Sequence, residues 1–255
     1  MTAPMKSPVG PWNQGLYEIS ATAKEVVGTL RMDLYGNKYR YAKAGATALA
    51  RNKQTIAASA NADWMNKVSA AAVAVGSKTV TLTITDVGAD VLPENYFQGG
   101  QLQVQDEAGE GQWYRILYST ALTNGGTTAT VTLEEGIRVA LTTASECSLV
   151  PSPWMGTVLS ATITTPFPTG VPLVAVTANY YYWSLTGGLG LYLGHTDVAA
   201  VGTMLILGTE DGALVPKVLN LDGSVDADET LSVVAIAYGT AGVSGEYCPC
   251  WYVID

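Results

Sequence analysis

"LRMDLYGNKYRYA", Leu30 to Ala42, decides what kind of molecule this is. Leu30, Met32 and Leu34 alternate with Arg31, Asp33 and Tyr35; Gly36-Asn37 follows, and Tyr39 and Tyr41 then alternate with Lys38, Arg40 and Ala42. Successive side chains on a strand point to opposite faces, so a period of two on both sides of a Gly-Asn pair predicts a β-hairpin. Nothing in the stretch has the makings of an active site. It builds a sheet.

The same signature continues along the chain. "KTVTLTIT", from Lys78, sets Val80, Leu82 and Ile84 against Thr79, Thr81, Thr83 and Thr85, the pattern of a half-buried strand with a threonine outer face. "GGQLQVQDEAGEGQWYRILY", Gly99 to Tyr118, reads as a second hairpin whose turn falls between Asp106 and Gly111. Shorter runs such as "TTATVTL", "VPLVAVTA", "GTMLILG", "LSVVAIAYG" and "WYVID" recur at about the 8–12-residue spacing of sandwiches and barrels. "NADWMNKVSAAAVAVG", from Asn61, is open to two readings, since Trp64, Val68, Ala71, Ala72 and Val75 would also line a helical face.

The expected fold is therefore all-β: two β-sandwich or barrel-like domains with an extended N-terminal arm and little helix. Residues 1–27, with Pro4, Pro8 and Pro11 and no sustained period, read as the arm. Pro151 and Pro153 in "VPSPWMG" suggest a boundary, giving domains over 28–153 and 154–255. Trp12 and Tyr17 are candidate anchors by which the arm lies on another surface.

Composition narrows the function. The chain has 255 residues, 14% of them charged against a usual share of about 25%, and mean hydropathy is +0.19. The longest apolar candidate, Val171 to Trp183, is interrupted by Thr177 and Asn179 and is too short to span a bilayer. A surface poor in charge points to an oligomer or an assembly component. Net charge is −9, with Lys and Arg thinly spread, which is the wrong sign for nucleic acid or an anionic membrane, so neither is an expected partner. Three cysteines, two of them in Cys248-Pro249-Cys250, are not a disulfide framework, and the start "MTAPMKSPVG" lacks the apolar stretch of a secretory signal; residence in a reducing cytoplasm is the expectation.

The chemical candidates each meet a plainer alternative. His195 has Asp197 two residues away in a loop-like string and no nucleophile elbow, so no catalytic residue is expected and the chain is read as non-enzymatic. One histidine and an isolated Cys-Pro-Cys do not make a metal site, and the cysteines read as buried packing. "DGSVDADE", Asp222 to Glu229, has the alternating oxygens of a calcium loop, but the sixth position is Ala227 and the twelfth Val233, so a solvated acidic turn is preferred. Gly187-Gly188-Leu189-Gly190 lacks the phosphate-binding pattern and reads as a turn. No cofactor is expected. Tyr180 to Trp183 concentrates aromatics; alternation places Tyr180 and Tyr182 toward the core and leaves Tyr181 and Trp183 as a candidate platform for a partner or a sugar.

"YRYAKAGATALA", "YFQGGQLQVQDEAGEGQWYRI", "EEGIRVALTTASECSLVPSPWMG" and "GVPLVAVTANYYYWSLTGG" together resemble stretches of tailed-bacteriophage head decoration (capsid cement) proteins, from about Gly28 to about Gly188, with a weaker echo beyond. The resemblance implies a structural protein on the outer surface of the virion head, made in the host cytoplasm. It further implies binding to the major capsid protein, commonly as a homotrimer, so that neighbouring capsomers are bridged and the shell stabilised. The alternative is a receptor- or glycan-binding module of a tail or head fibre, using Tyr181 and Trp183.

Overall fold

The computed structural model describes residues 11–59, 61–84, 91–161, 167–195, 199–208, 212–217, 232–239 and 245–255. In chain order the strands are β1 (Leu30–Met32), β2 (Lys38–Ala44), β3 (Thr55–Ile56), β4 (Lys67–Val68), β5 (Thr79–Thr83), β6 (Gln101–Asp106), β7 (Trp113–Ser119) and β8 (Thr128–Leu133). They continue with β9 (Glu146–Val150), β10 (Met155–Leu159), β11 (Pro168–Pro172), β12 (Tyr181–Gly194), β13 (Met204–Leu207), β14 (Ala213–Pro216), β15 (Ala235–Ala237) and β16 (Tyr247–Val253). The only helical turn among the described residues is a 3-10 turn, Ala62–Trp64, so the all-β expectation holds.

Two compact units divide the chain otherwise than its prolines suggest. One is formed by 59–152; the other combines 11–58 with 153–255. The second unit resumes at Pro153, but β2 and β3 pair with strands of the C-terminal half, and β1 pairs with β2, none of them with the 59–152 segment. Periodicity identifies a strand and says nothing of its partner, which is why the 28–153 domain does not survive.

In the 59–152 unit the strands run in the order β4-β9-β6-β7-β8-β5. An isolated bridge between Ser69 and Leu82, with Ala70 N donating to Thr81 O at 2.9 Å, brings the two ends together into a nearly closed barrel. Alternation fills it: Val80, Leu82, Leu102, Ile116, Val131, Leu133 and Leu149 are each at most 1% exposed. Burying a side chain of this kind stabilises by about 1.5–3 kcal/mol. The outer face of β5 and β8 is threonine, with Thr81 Oγ1 and Thr130 Oγ1 2.9 Å apart across the pair. Beyond its 3-10 turn at Ala62–Trp64, the ambiguous 61–76 segment is not helical. Its N–H groups go across the barrel, Ser69 to Ser145 O and Val73 to Leu141 O, which removes the bonds a helix needs.

In the other unit the Leu30–Ala42 hairpin forms, Leu30 opposite Arg40 and Met32 opposite Lys38, but β1 ends at Met32, and Leu34 and Tyr35, which the alternation put in the strand, lie in the turn. Asp33 organises the turn, its Oδ1 accepting from the backbone N of Tyr35 and of Asn37, both at 2.9 Å. β2 then pairs with β12, whose 14 residues are well beyond the usual length of a strand. Its first half closes a ring with β2, β10, β3 and β11; its second half closes another with β14, β13, β15 and β16. β12 is thus the wall shared by both rings.

Gly187 to Gly190 lies inside β12 and is not a turn. The glycines answer close approach. Gly188 has φ +103°, and a Cβ there would sit 2.2 Å from Asn37 Oδ1. That same oxygen accepts from Leu189 N at 3.0 Å, tying the hairpin turn to the strand.

Candidate functional site

The second half of β12 alternates cleanly. Tyr192 points inward opposite Cys248, and Gly188 and Gly190 lie opposite Tyr252 and Cys250, while Leu189 and Leu191 point outward opposite Trp251 and Pro249. β16 therefore has two apolar faces: Cys248, Cys250 and Tyr252 are buried, and Tyr247, Trp251 and Val253 are 40–45% exposed. Registry carries the outer row onward, with Trp251 opposite Ile236 on β15 and Ile236 opposite Met204 on β13. Leu189, Trp251, Ile236 and Met204 thus form one exposed line across four neighbouring strands.

Leu191, Tyr238, Tyr247 and Val253 flank that line, and Tyr238, at 65%, is the most exposed of the eight. None of the four strands contains Asp, Glu, Lys or Arg. An uncharged, contiguous apolar area on a sheet marks an interaction surface. Behind it the bed is rigid: seven successive register pairs join β12 to β16, and Tyr252 Oη donates to Leu191 O at 3.0 Å. At one end, beside Leu189, the hairpin turn presents Leu34 and Tyr35, at 85% and 87% exposure.

The sequence-derived contact residues fall elsewhere, and the structure reassigns most of them. Trp183 is 1% exposed and cannot serve as a platform. Both faces of the first half of β12 are covered, because 11–27 crosses the sheet over β2 and β12. Trp12 packs on Trp183, Ser20 bridges to Tyr181, and Lys24 N donates to Tyr41 Oη at 3.0 Å. Trp12 is therefore an anchor, but onto its own chain. Tyr181 is half-buried and stacked on Tyr41 at 5.9 Å, with Lys43 Nζ 5.5 Å above its ring. Burial lowers the Lys43 ammonium and pushes the Tyr41 hydroxyl up to about 12. Of the four residues Tyr17, at 72%, is the most exposed, Trp12 and Tyr181 being half-buried.

The cysteines among the remaining candidates are packing residues. Cys248 and Cys250 are 4% and 0% exposed, and burial pushes the Cys250 thiol up to about 12 and that of Cys147 to about 11, the direction that removes thiolate at neutral pH. His195 follows the end of β12, with its backbone N 3.4 Å from Leu214 O; Asp197 and the acidic 222–229 stretch lie outside the described residues. Among the described residues no three His, Cys, Asp or Glu side chains are grouped to hold a metal, and no helix is long and apolar enough to cross a membrane.

The outer face of β16 was within reach of the sequence. Tyr247, Pro249, Trp251 and Val253 alternate with Cys248, Cys250 and Tyr252, so one of two apolar faces had to lie outside the core or under a partner. What no local pattern carries is the lateral registry that lines Leu189, Ile236 and Met204 up with Trp251.

Compared with family models, curated proteins and solved structures, the chain has no match.

Proposed function

We propose that the protein is a non-enzymatic assembly component that binds the outside of a viral capsid shell and stiffens it by bridging neighbouring capsomers. The observation that carries the reading is the charge-free apolar sheet face centred on Trp251, the kind of surface that meets another protein. The resemblance to phage head decoration proteins supplies the partner, the major capsid protein, and the place, the outer surface of the head. The Leu34–Tyr35 tip, held by Asp33 and Asn37, is a separate contact, two exposed side chains on a fixed turn that can meet the shell whatever protein covers the Trp251 face. Mechanically, a packed shell is under outward load, and a clamp with several linked contacts resists separation by avidity, a gain of roughly 10²–10⁴ over one contact where geometry permits.

Co-sedimentation with expanded heads that lack the protein, followed by imaging, tests this. Ordered density over capsomer junctions is expected. Folded protein left in the supernatant sinks the reading.

The fibre-module alternative loses Trp183 as its platform and gains another aromatic. Trp113, 53% exposed on β7, lies directly opposite Gln103 on β6, whose Nε2 donates to Gln101 Oε1 at 3.1 Å. An open indole beside amide groups suits the apolar face and hydroxyls of a sugar. Binding on a glycan array that is lost in Trp113→Ala would favour this reading over the shell.

A further inference from the structure

We infer that the Trp251 face is covered in solution by a second copy of this chain, the two sheets packing face to face about a two-fold axis. This rests on the assembly reading above and specifies which partner occupies that surface, leaving the Leu34–Tyr35 tip for the shell.

Area is the first argument. Eight side chains, from Ile236 at 36% to Tyr238 at 65%, remain open on one face. Together they offer several hundred Å², the scale of the about 800 Å² that each partner contributes to a standard stable interface. The anatomy matches as well: Trp251 stands in the middle with Leu189 and Ile236 on either side, and Tyr238 and Tyr247 bring hydroxyls to the margin. A central aromatic anchor within an amphipathic rim is how binding energy is concentrated. Tyr247 is already fixed, its Oη donating to Arg51 O at 3.1 Å, so little side-chain freedom is left to lose there.

Charge is the second. Each copy carries −9, so two copies repel on approach, and a charged face would add like-charge contacts to that cost. β12, β13, β15 and β16 are free of charge and are where copies can meet without such contacts.

Symmetry is the third. A three-fold ring joins two unlike surfaces on each subunit, whereas one self-complementary patch closes on itself through a two-fold. A single continuous sheet face, stacked on its own copy about 10 Å away as sheets stack in a sandwich, is the second case. The two-fold pairing differs from the homotrimer that the resemblance implies.

Light scattering on the size-separated full chain, with sedimentation equilibrium across concentration, reads the answer. The expected mass is twice 26.7 kDa. Trp251→Glu and, separately, Leu189→Gln are to weaken pairing, the former by roughly 100-fold or more, as loss of a central anchor does. Both positions point outward, so unchanged circular dichroism and melting are to certify the fold, and Trp113→Ala is to pair as the unaltered chain does. A wild-type monomer at tens of micromolar, a trimeric mass, or a dimer indifferent to both substitutions would each overturn the inference. Head binding, assayed apart, separates this from the functional reading: a monomer that binds heads removes only the pairing, and a dimer that ignores heads removes only the shell.

Discussion

Trp12 stands edge-on to Trp183, ring centroids 5.2 Å apart and planes at 76°, while Trp183 Nε1 donates to the backbone oxygen of Gln14 at 3.1 Å. Arg31 lies over both rings, at 5.6 and 5.4 Å, and its Nη1 also donates to Gln14 O. Gln14, itself buried, accepts from Tyr41 Oη at 2.7 Å and donates to Tyr181 O at 3.1 Å. The stretch 11–27 is thus a strap sewn to β2 and β12 by side chains from both.

That arrangement reverses what a loose arm would do. Trp12→Ala opens one side of Trp183 and is expected to cost about 2–4 kcal/mol. Removing residues 1–27 is expected to cost more, since Trp183, Tyr41 and the Gln14 bonds lose their cover together. Thermal melts decide it: a truncated chain that melts with the full chain would show that the strap adds nothing to the fold.

A glycine in β12 gives a sharper test of the shared wall. Gly188→Ala meets two penalties, a φ of +103° that a Cβ disfavours and an overlap with Asn37, whose Cα would lie 2.9 Å from the new carbon. The expected loss is about 2–4 kcal/mol in urea unfolding. Gly111→Ala, at φ +78° with open space around it, isolates the backbone part and is expected to cost about 1 kcal/mol. Equal losses would mean that the Asn37 contact is not tight.

The contrast between these positions shows where sequence reading reaches its limit. Alternation in Lys38–Ala42 and Thr79–Thr83 was sufficient to place strands and their buried faces, because period two is a local consequence of the pleat. Gly187 to Gly190 misled, since glycine marks turns and close backbone approach alike, and only the position of Asn37 tells them apart. Trp183 misled for a similar reason: alternation gives a side chain's face, and whether that face meets solvent depended on a strap whose Gln14 lies 169 residues earlier in the chain. The Trp251 row needed pairings among β12, β13, β15 and β16, none of which is encoded in the spacing within any one strand.

Buried hydroxyls and thiols predict how the fold fails in base. Burial pushes Cys147 to about 11 and Cys250, Tyr39, Tyr41 and Tyr192 to about 12, each above its ordinary value. A group whose pKa is raised on folding stabilises fully below its unfolded value, and that contribution falls as pH climbs toward the folded one. Stability is therefore expected to be level near neutrality, to decline from about pH 9, and to be largely lost by about pH 12. The same burial keeps Cys147 and Cys250 closed to a thiol reagent at pH 8 until denaturant is added. Rapid native labelling of either would contradict the packing described.

Acid tests the other end of the sheet, where β2 and β16 lie end to end along β12. Asp255 takes Arg40 through both carboxylate oxygens, Nη2 donating to Oδ1 at 2.8 Å and Nε to Oδ2, and accepts from Thr186 Oγ1 at 3.2 Å; Lys38 Nζ donates to its backbone oxygen at 3.0 Å. Arg40 is in turn fixed over the Trp154 ring at 4.9 Å and donates to Gly28 O. The hydrogen bond from Arg40 holds the Asp255 carboxyl below the usual carboxylate range. A group depressed in this way stabilises above its unfolded pKa and loses that contribution as pH falls through the folded one. Asp255→Asn is accordingly expected to cost on the order of 1 kcal/mol at pH 7, a modest figure because both side chains are more than a fifth exposed. The gap between the two proteins should close as pH drops below about 4. A difference that stays constant from pH 7 to pH 3 would assign the loss to packing around Trp154 and not to the ion pair.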